Sequence, residues 1–150
     1  MKTSKSKIRT VLTIFFLVVI PLTIYSQASD DKQVENVIIG YISNFFINDY
    51  DEMEVYLHDR LSKRGVNQNG KLSPEYPKEE LKKLMENKTI FPLKHQRNIV
   101  SSIKVYNRVA TAILETGYPK TRWKEYIHLA KLDGKWIITD VFWSFDIIKN

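Results

Sequence analysis

Cysteine is absent from all 150 residues, so the chain can build no disulfide framework, no thiolate nucleophile and no lipidated N-terminal cysteine. Whatever it folds into must stand on a hydrophobic core alone. Glycine is scarce, with five in the chain, and none falls in a phosphate-cradling spacing. The three histidines, His58, His95 and His128, are isolated from one another, with no pair four residues apart, so no zinc site is expected. No serine stands in a nucleophile-elbow setting, and no cofactor signature occurs. Acidic residues are missing altogether before Asp30.

That acid-free segment has an order of its own. Lys2, Lys5, Lys7 and Arg9 precede an apolar run from Val11 to Ile24, the arrangement of a secretory signal peptide. Pro21, Thr13 and Thr23 interrupt the run, leaving it short of the roughly 20 apolar residues that a spanning helix needs. An uncleaved anchor is therefore the weaker reading. Ser26-Gln27-Ala28 offers a small-x-small site, with cleavage expected after Ala28 or, in competition, after Ser26. The expected division is a signal peptide at 1–28 and one domain at 29–150, exported to the periplasm or secreted, meeting a membrane only during export. Removing 1–28 takes four of the 23 Lys and Arg and none of the 17 Asp and Glu. The basic character thus belongs mostly to the leader and gives little reason to expect a nucleic-acid partner. The cluster Lys120, Arg122 and Lys124 beside Trp123 reads as a solvated loop.

Val34, Val37, Ile38, Tyr41, Ile42 and Phe45 follow the spacing of a helix with one buried stripe, predicting a helix over 31–47 with Asp30 or Asp31 as its cap. Met53, Tyr56, Leu57 and Leu61 predict a second helix over 51–61. Gly65, Asn67, Asn69, Gly70, Pro74 and Pro77 make 65–77 a loop, and Leu81, Leu84 and Met85 predict a third helix over 78–85. From Asn98 the period changes. Runs rich in β-branched and aromatic residues predict four strands, at 99–106, 108–115, 123–132 and 135–145, in an antiparallel meander. Helices first and strands second give an α+β domain: N-terminal helices packed on a four-stranded antiparallel sheet. On the last strand Trp136, Ile138 and Phe142 fall on one side and Ile137, Val141, Trp143 and Phe145 on the other. Both sides are then apolar, which predicts a homodimer through the sheet face.

The stretch from Tyr126 to Trp136, YIHLAKLDGKW, followed by Val141-Phe142-Trp143, resembles the terminal hairpin of the putative lumazine-binding family, within the nuclear transport factor 2-like (SnoaL-like, cystatin-like) superfamily. Tyr41, the run Asn48 to Met53, Leu57-His58, Arg60-Leu61 and Lys63-Arg64 agree with it. Asp59 stands where the family pattern has Pro, and Glu125 where it has Asp. The resemblance implies a strongly bent sheet wrapped round the helices as a cone, with a pocket at the open end. Its superfamily includes ketosteroid isomerase and scytalone dehydratase, whose pocket Tyr, His and Asp residues move protons, beside many members that only bind.

Which residues line such a pocket depends on the register of the last hairpin, since a slip of one residue exchanges the faces. With Asp133-Gly134 as a two-residue loop, His128 faces Thr139. With a bulged loop over 132–134, the preferred alternative, His128 faces Ile138, Tyr126 faces Asp140, and Tyr126, His128 and Asp140 share a face with Trp136 and Phe142. These five are the expected pocket residues, and His58 either closes the mouth or caps a helix end. The expected function is small-ligand binding. The alternatives are isomerase- or dehydratase-type proton transfer at the same residues, and a dimeric partner-binding protein with no open pocket.

Overall fold

The computed structural model describes residues 30–148, so the expected signal peptide lies outside the described residues. The described chain begins in helix α1, helical over 30–47, whose Val34, Ile38, Tyr41 and Ile42 are buried as their spacing predicts, while Val37 and Phe45 are only partly buried and Phe46 takes the buried place at the end of the stripe. Asp30 is already helical; its carboxylate binds Lys131 Nζ at 2.5 Å and accepts from the Trp136 indole at 3.2 Å, tying the helix to the sheet. Helix α2, Tyr50–Glu54, is a single turn capped by Asp49, whose side chain accepts from the Glu52 amide. Strand β1, Leu57–Val66, follows, then helix α3, Lys78–Glu86. Four long strands complete the chain: β2, Arg97–Tyr106; β3, Val109–Tyr118; β4, Thr121–Leu132; and β5, Lys135–Ile147.

The sheet has five strands, not four, in the order β1-β5-β4-β3-β2. Strands β2 to β5 form the expected antiparallel meander, and β1 adds to its edge parallel to β5. The expected helix over 51–61 is thereby corrected to one helical turn followed by strand. Leu57 and Leu61, four apart, imitate a helical stripe, but a register irregularity between Leu57 and Ser62 lets both face inward from a strand. The inward alternation then continues through Lys63 and Gly65, two residues whose types hide it.

The last hairpin combines the two registers weighed above. Its loop is Asp133-Gly134, both residues at positive φ, 48° and 79°, with Leu132 opposite Lys135, so the bulged loop is corrected to a two-residue turn. The bulge lies further in: His128 pairs with Asp140 and Leu129 with Ile138, leaving Thr139 without a cross-strand partner. That extra residue exchanges the faces along β5. Trp136 and Ile138 point inward before it and Val141 after it, all three buried. The two apolar sides read from the sequence are mostly one inner side. It packs Ile138 and Val141 with Leu114, Ile127 and Leu129 against the α1 stripe, where each fully buried side chain contributes about 1.5–3 kcal/mol. The connection between β3 and β4 is also tighter than expected: Tyr118 pairs with Thr121, so a two-residue turn replaces the loop predicted over 116–122.

Candidate functional site

An aromatic cavity of about 320 Å³ opens between α1, α3 and the inner face of the sheet. Phe45 and Phe46 of α1 form one wall, and Tyr118, Trp123, Trp143 and Phe145 of the strands form the other. Their rings hold one another: Tyr118 meets Trp123 edge-on at 5.1 Å, and Trp123 stacks on Phe145 at 5.7 Å. Gly65 makes room for the wall, because a Cβ there would fall 2.2 Å from the Trp143 ring.

Three polar side chains close a ring beside this apolar space. Lys63 Nζ donates to Glu125 Oε1 at 2.9 Å and to the Tyr41 hydroxyl at 2.6 Å, and that hydroxyl donates to Glu125 Oε2 at 3.3 Å. The Lys63 and Glu125 side chains are only 7% and 5% exposed. Buried charges are tolerable because each oxygen of the carboxylate has a donor and the ammonium has two acceptors. Burial first, and the Glu125 charge second, push the Tyr41 hydroxyl well above the ordinary tyrosine range, so it stays a neutral donor.

The second cation on the cavity wall, Lys88, is placed differently. Its Nζ lies 3.6 Å from the centre of the Phe45 ring and 4.7 Å from that of Phe46, and donates to the Phe45 carbonyl at 3.0 Å. No carboxylate of the described residues lies in ion-pair reach of it. Burial, and then the positive charge of Lys63, lower its pKa to about 7.

None of the six residues singled out in the sequence lines this cavity. The Thr139 bulge places Tyr126, His128, Asp140 and Phe142 together on the outer face of the sheet, and Trp136 on the inner one, so their expected convergence on a single face is corrected. Tyr126 is 51% exposed opposite Phe142, and Asp140 stands 3.5 Å from His128 Nδ1 and 3.4 Å from an Arg64 nitrogen. Trp136 is buried at the far end against Asp30. His58 lies on β1, neither at a helix end nor on the cavity wall, and its Nδ1 accepts from the Arg60 amide at 3.0 Å. Lys63, Lys88 and Glu125 were missed as site residues. The available signal was alternation: Glu125 stands between Trp123 and Ile127, a charge at an inward position flanked by apolar residues on the same strand face. Among the described residues no group of three His, Cys, Asp or Glu side chains could hold a metal ion.

Several solved structures share this architecture. A nuclear transport factor 2-like protein of unknown function from Shewanella baltica aligns over 81% of this chain and 97% of its own, with a TM-score of 0.72 at 18% identity. One from Silicibacter pomeroyi aligns over 80% and 98%, with a TM-score of 0.72 at 14% identity. A ketosteroid isomerase-like protein from Erwinia carotovora aligns over 77% and 94%, with a TM-score of 0.56 at 14% identity. Such identities establish the fold and no more. No curated protein matches the sequence. The family described as putative lumazine-binding matches over residues 29–144, from α1 into the second strand of the terminal hairpin, and the chain belongs to that family.

Proposed function

We propose that this domain is a small-ligand-binding module that holds a flat, largely apolar molecule between the rings of the inner cavity. The observation that carries the reading is the cavity itself: about 320 Å³, walled by aromatic side chains, with a fully paired polar cluster at one side. That is the low end of the volumes, roughly 300–1,000 Å³, in which small molecules bind, and the mixture of apolar wall and few polar groups is typical of them. The family description, which names a ligand, agrees with this reading without identifying the molecule here.

Binding is favoured over proton-transfer catalysis by the arrangement of the polar groups. Glu125 has a donor on each oxygen, which leaves it poorly disposed to act as a base. The Tyr126, His128 and Asp140 group lies across the sheet from the cavity. Native mass spectrometry of protein purified from its own host tests the proposal. A retained molecule that is lost when Trp123→Ala opens the aromatic wall is the expected outcome, and retention unaffected by that change overturns it.

Two further expectations belong to the same reading. Export is supported by the order of charge and apolarity in residues 1–28, and N-terminal sequencing of the folded product is its test. Self-association is supported by the outer sheet face, which exposes Tyr126, Ile99 and Val109.

A further inference from the structure

We propose that the ligand of this cavity carries an anionic group, that this group seats on Lys88, and that binding takes up a proton. The inference deepens the reading of the cavity as a ligand site and rests on it. Three charged side chains line the cavity, and two of them, Lys63 and Glu125, neutralise each other at 2.9 Å. What remains is one ammonium, and it is the one without a carboxylate among the described residues. Lys88 spends one N–H on the Phe45 carbonyl and rests its charge on the Phe45 and Phe46 rings. Its other donors are open to a guest lying along those rings, and the guest's negative charge would supply the partner that the protein leaves out. A neutral ligand would offer the ammonium no partner and so would favour the uncharged amine instead.

The proton follows from the same surroundings. Facing the amine from β1 is the Lys63 charge and from β4 the Glu125 charge, with the phenols of Tyr118 on β3 and of Tyr76, ahead of α3, on the cavity wall; α1 contributes rings and a carbonyl. Burial and Lys63 together outweigh Glu125, so in the free protein Lys88 gives up its proton far below the ordinary lysine range, at about 7. An anion in contact favours the charged form. Binding near neutral pH therefore draws in protons, and affinity falls as pH rises above 7 because the free protein must then be protonated to bind.

The test uses 2-naphthoate and its neutral isostere 2-naphthamide as probes, by calorimetry in Tris and in HEPES at pH 6, 7 and 9. Expected is at least a tenfold preference for naphthoate at pH 6, a tenfold or greater loss of its affinity by pH 9, and a buffer-dependent enthalpy at pH 7 that reports proton uptake. Lys88→Met should abolish the preference. Lys88→Arg, which keeps the cation and cannot lose its proton, should retain the preference at pH 9 and remove the proton uptake. Equal binding of both probes, insensitive to pH and to Lys88→Met, overturns the anion inference and leaves the cavity as a ligand site. Failure of both probes to bind at millimolar concentration overturns the two together.

Discussion

Lys63 on β1 and Glu125 on β4 meet at 2.9 Å although their strands are not neighbours: β5 runs between them. In the ladder Lys63 lies beside Val141 and Glu125 beside Trp143, so the ion pair bridges the inner side of β5 and ties the parallel edge strand to the meander. With Tyr41 completing the ring, one residue from α1 and two from the sheet share a single polar knot within the core.

Breaking that knot from one side should be severe. Lys63→Met leaves a carboxylate about 95% covered with a single neutral donor, and loss of one partner of such a pair costs about 3–5 kcal/mol. Replacing all three members with apolar residues, Lys63→Met with Glu125→Leu and Tyr41→Phe, removes the stranded charge and should restore most of the lost stability. Urea unfolding of the single and triple variants checks both. A triple variant no more stable than the single one would show that the knot holds the fold by more than charge balance.

Lys88 predicts the pH dependence of stability. Its pKa is lowered to about 7 in the folded protein from an ordinary 10.5, so between those values the unfolded chain binds the extra proton. Stability should therefore rise with pH from about 7 to about 9.5, and Lys88→Met should flatten the rise. Above 10 the raised pKa of Tyr41 acts in the opposite sense: its stabilisation is present below 10 and is lost as the unfolded chain ionises first. Thermal unfolding between pH 6.5 and 9.5, with and without the substitution, separates the lysine from the remaining titrations.

The parts of the fold legible in the sequence were those where side-chain type and periodicity agree. The α1 stripe and the four long strands are such cases, and residue type names their buried positions correctly at Val34, Ile38, Ile127 and Ile138. Strand β1 was hidden because its inward positions include a lysine and a glycine, and because a register irregularity gave Leu57 and Leu61 a helical spacing. The site was hidden for a related reason. A bulge in mid-strand at Thr139 leaves no mark in composition, yet it decides that Val141 and Trp143 face the core side while Asp140 and Phe142 face away. Lys63 and Glu125 gain their meaning only from the strand between them. The aromatic wall was written in the sequence as aromatic residues, but Tyr118 was assigned to the connector between β3 and β4 and Trp123 to a strand start rather than to one shared wall.

Self-association tests the outer face. Light scattering at micromolar concentration should give twice the protomer mass, and Tyr126→Glu, which places a charge at a 51% exposed position opposite Phe142, should halve it without loss of thermal stability. A monomer in the unaltered protein would show that the exposed aromatic and aliphatic side chains of this face are tolerated singly.

The close approach of Gly65 to Trp143 gives a test of the cavity wall that leaves every polar group in place. A methyl group at residue 65 would sit 2.2 Å from both the Trp143 ring and its carbonyl oxygen, too near for either. The ring can turn away, but the carbonyl belongs to the strand paired with Gly65, so the β1–β5 ladder must also shift. Gly65→Ala should cost about 1–3 kcal/mol, the usual range for overpacking a filled site. It should also alter tryptophan fluorescence in the folded protein and weaken any ligand that lies against Trp143. Gly70→Ala is the matched control. It has open space around its Cβ and carries only the strain of a φ of 74°, so it should lower stability by about 1 kcal/mol and leave the fluorescence and the cavity unchanged.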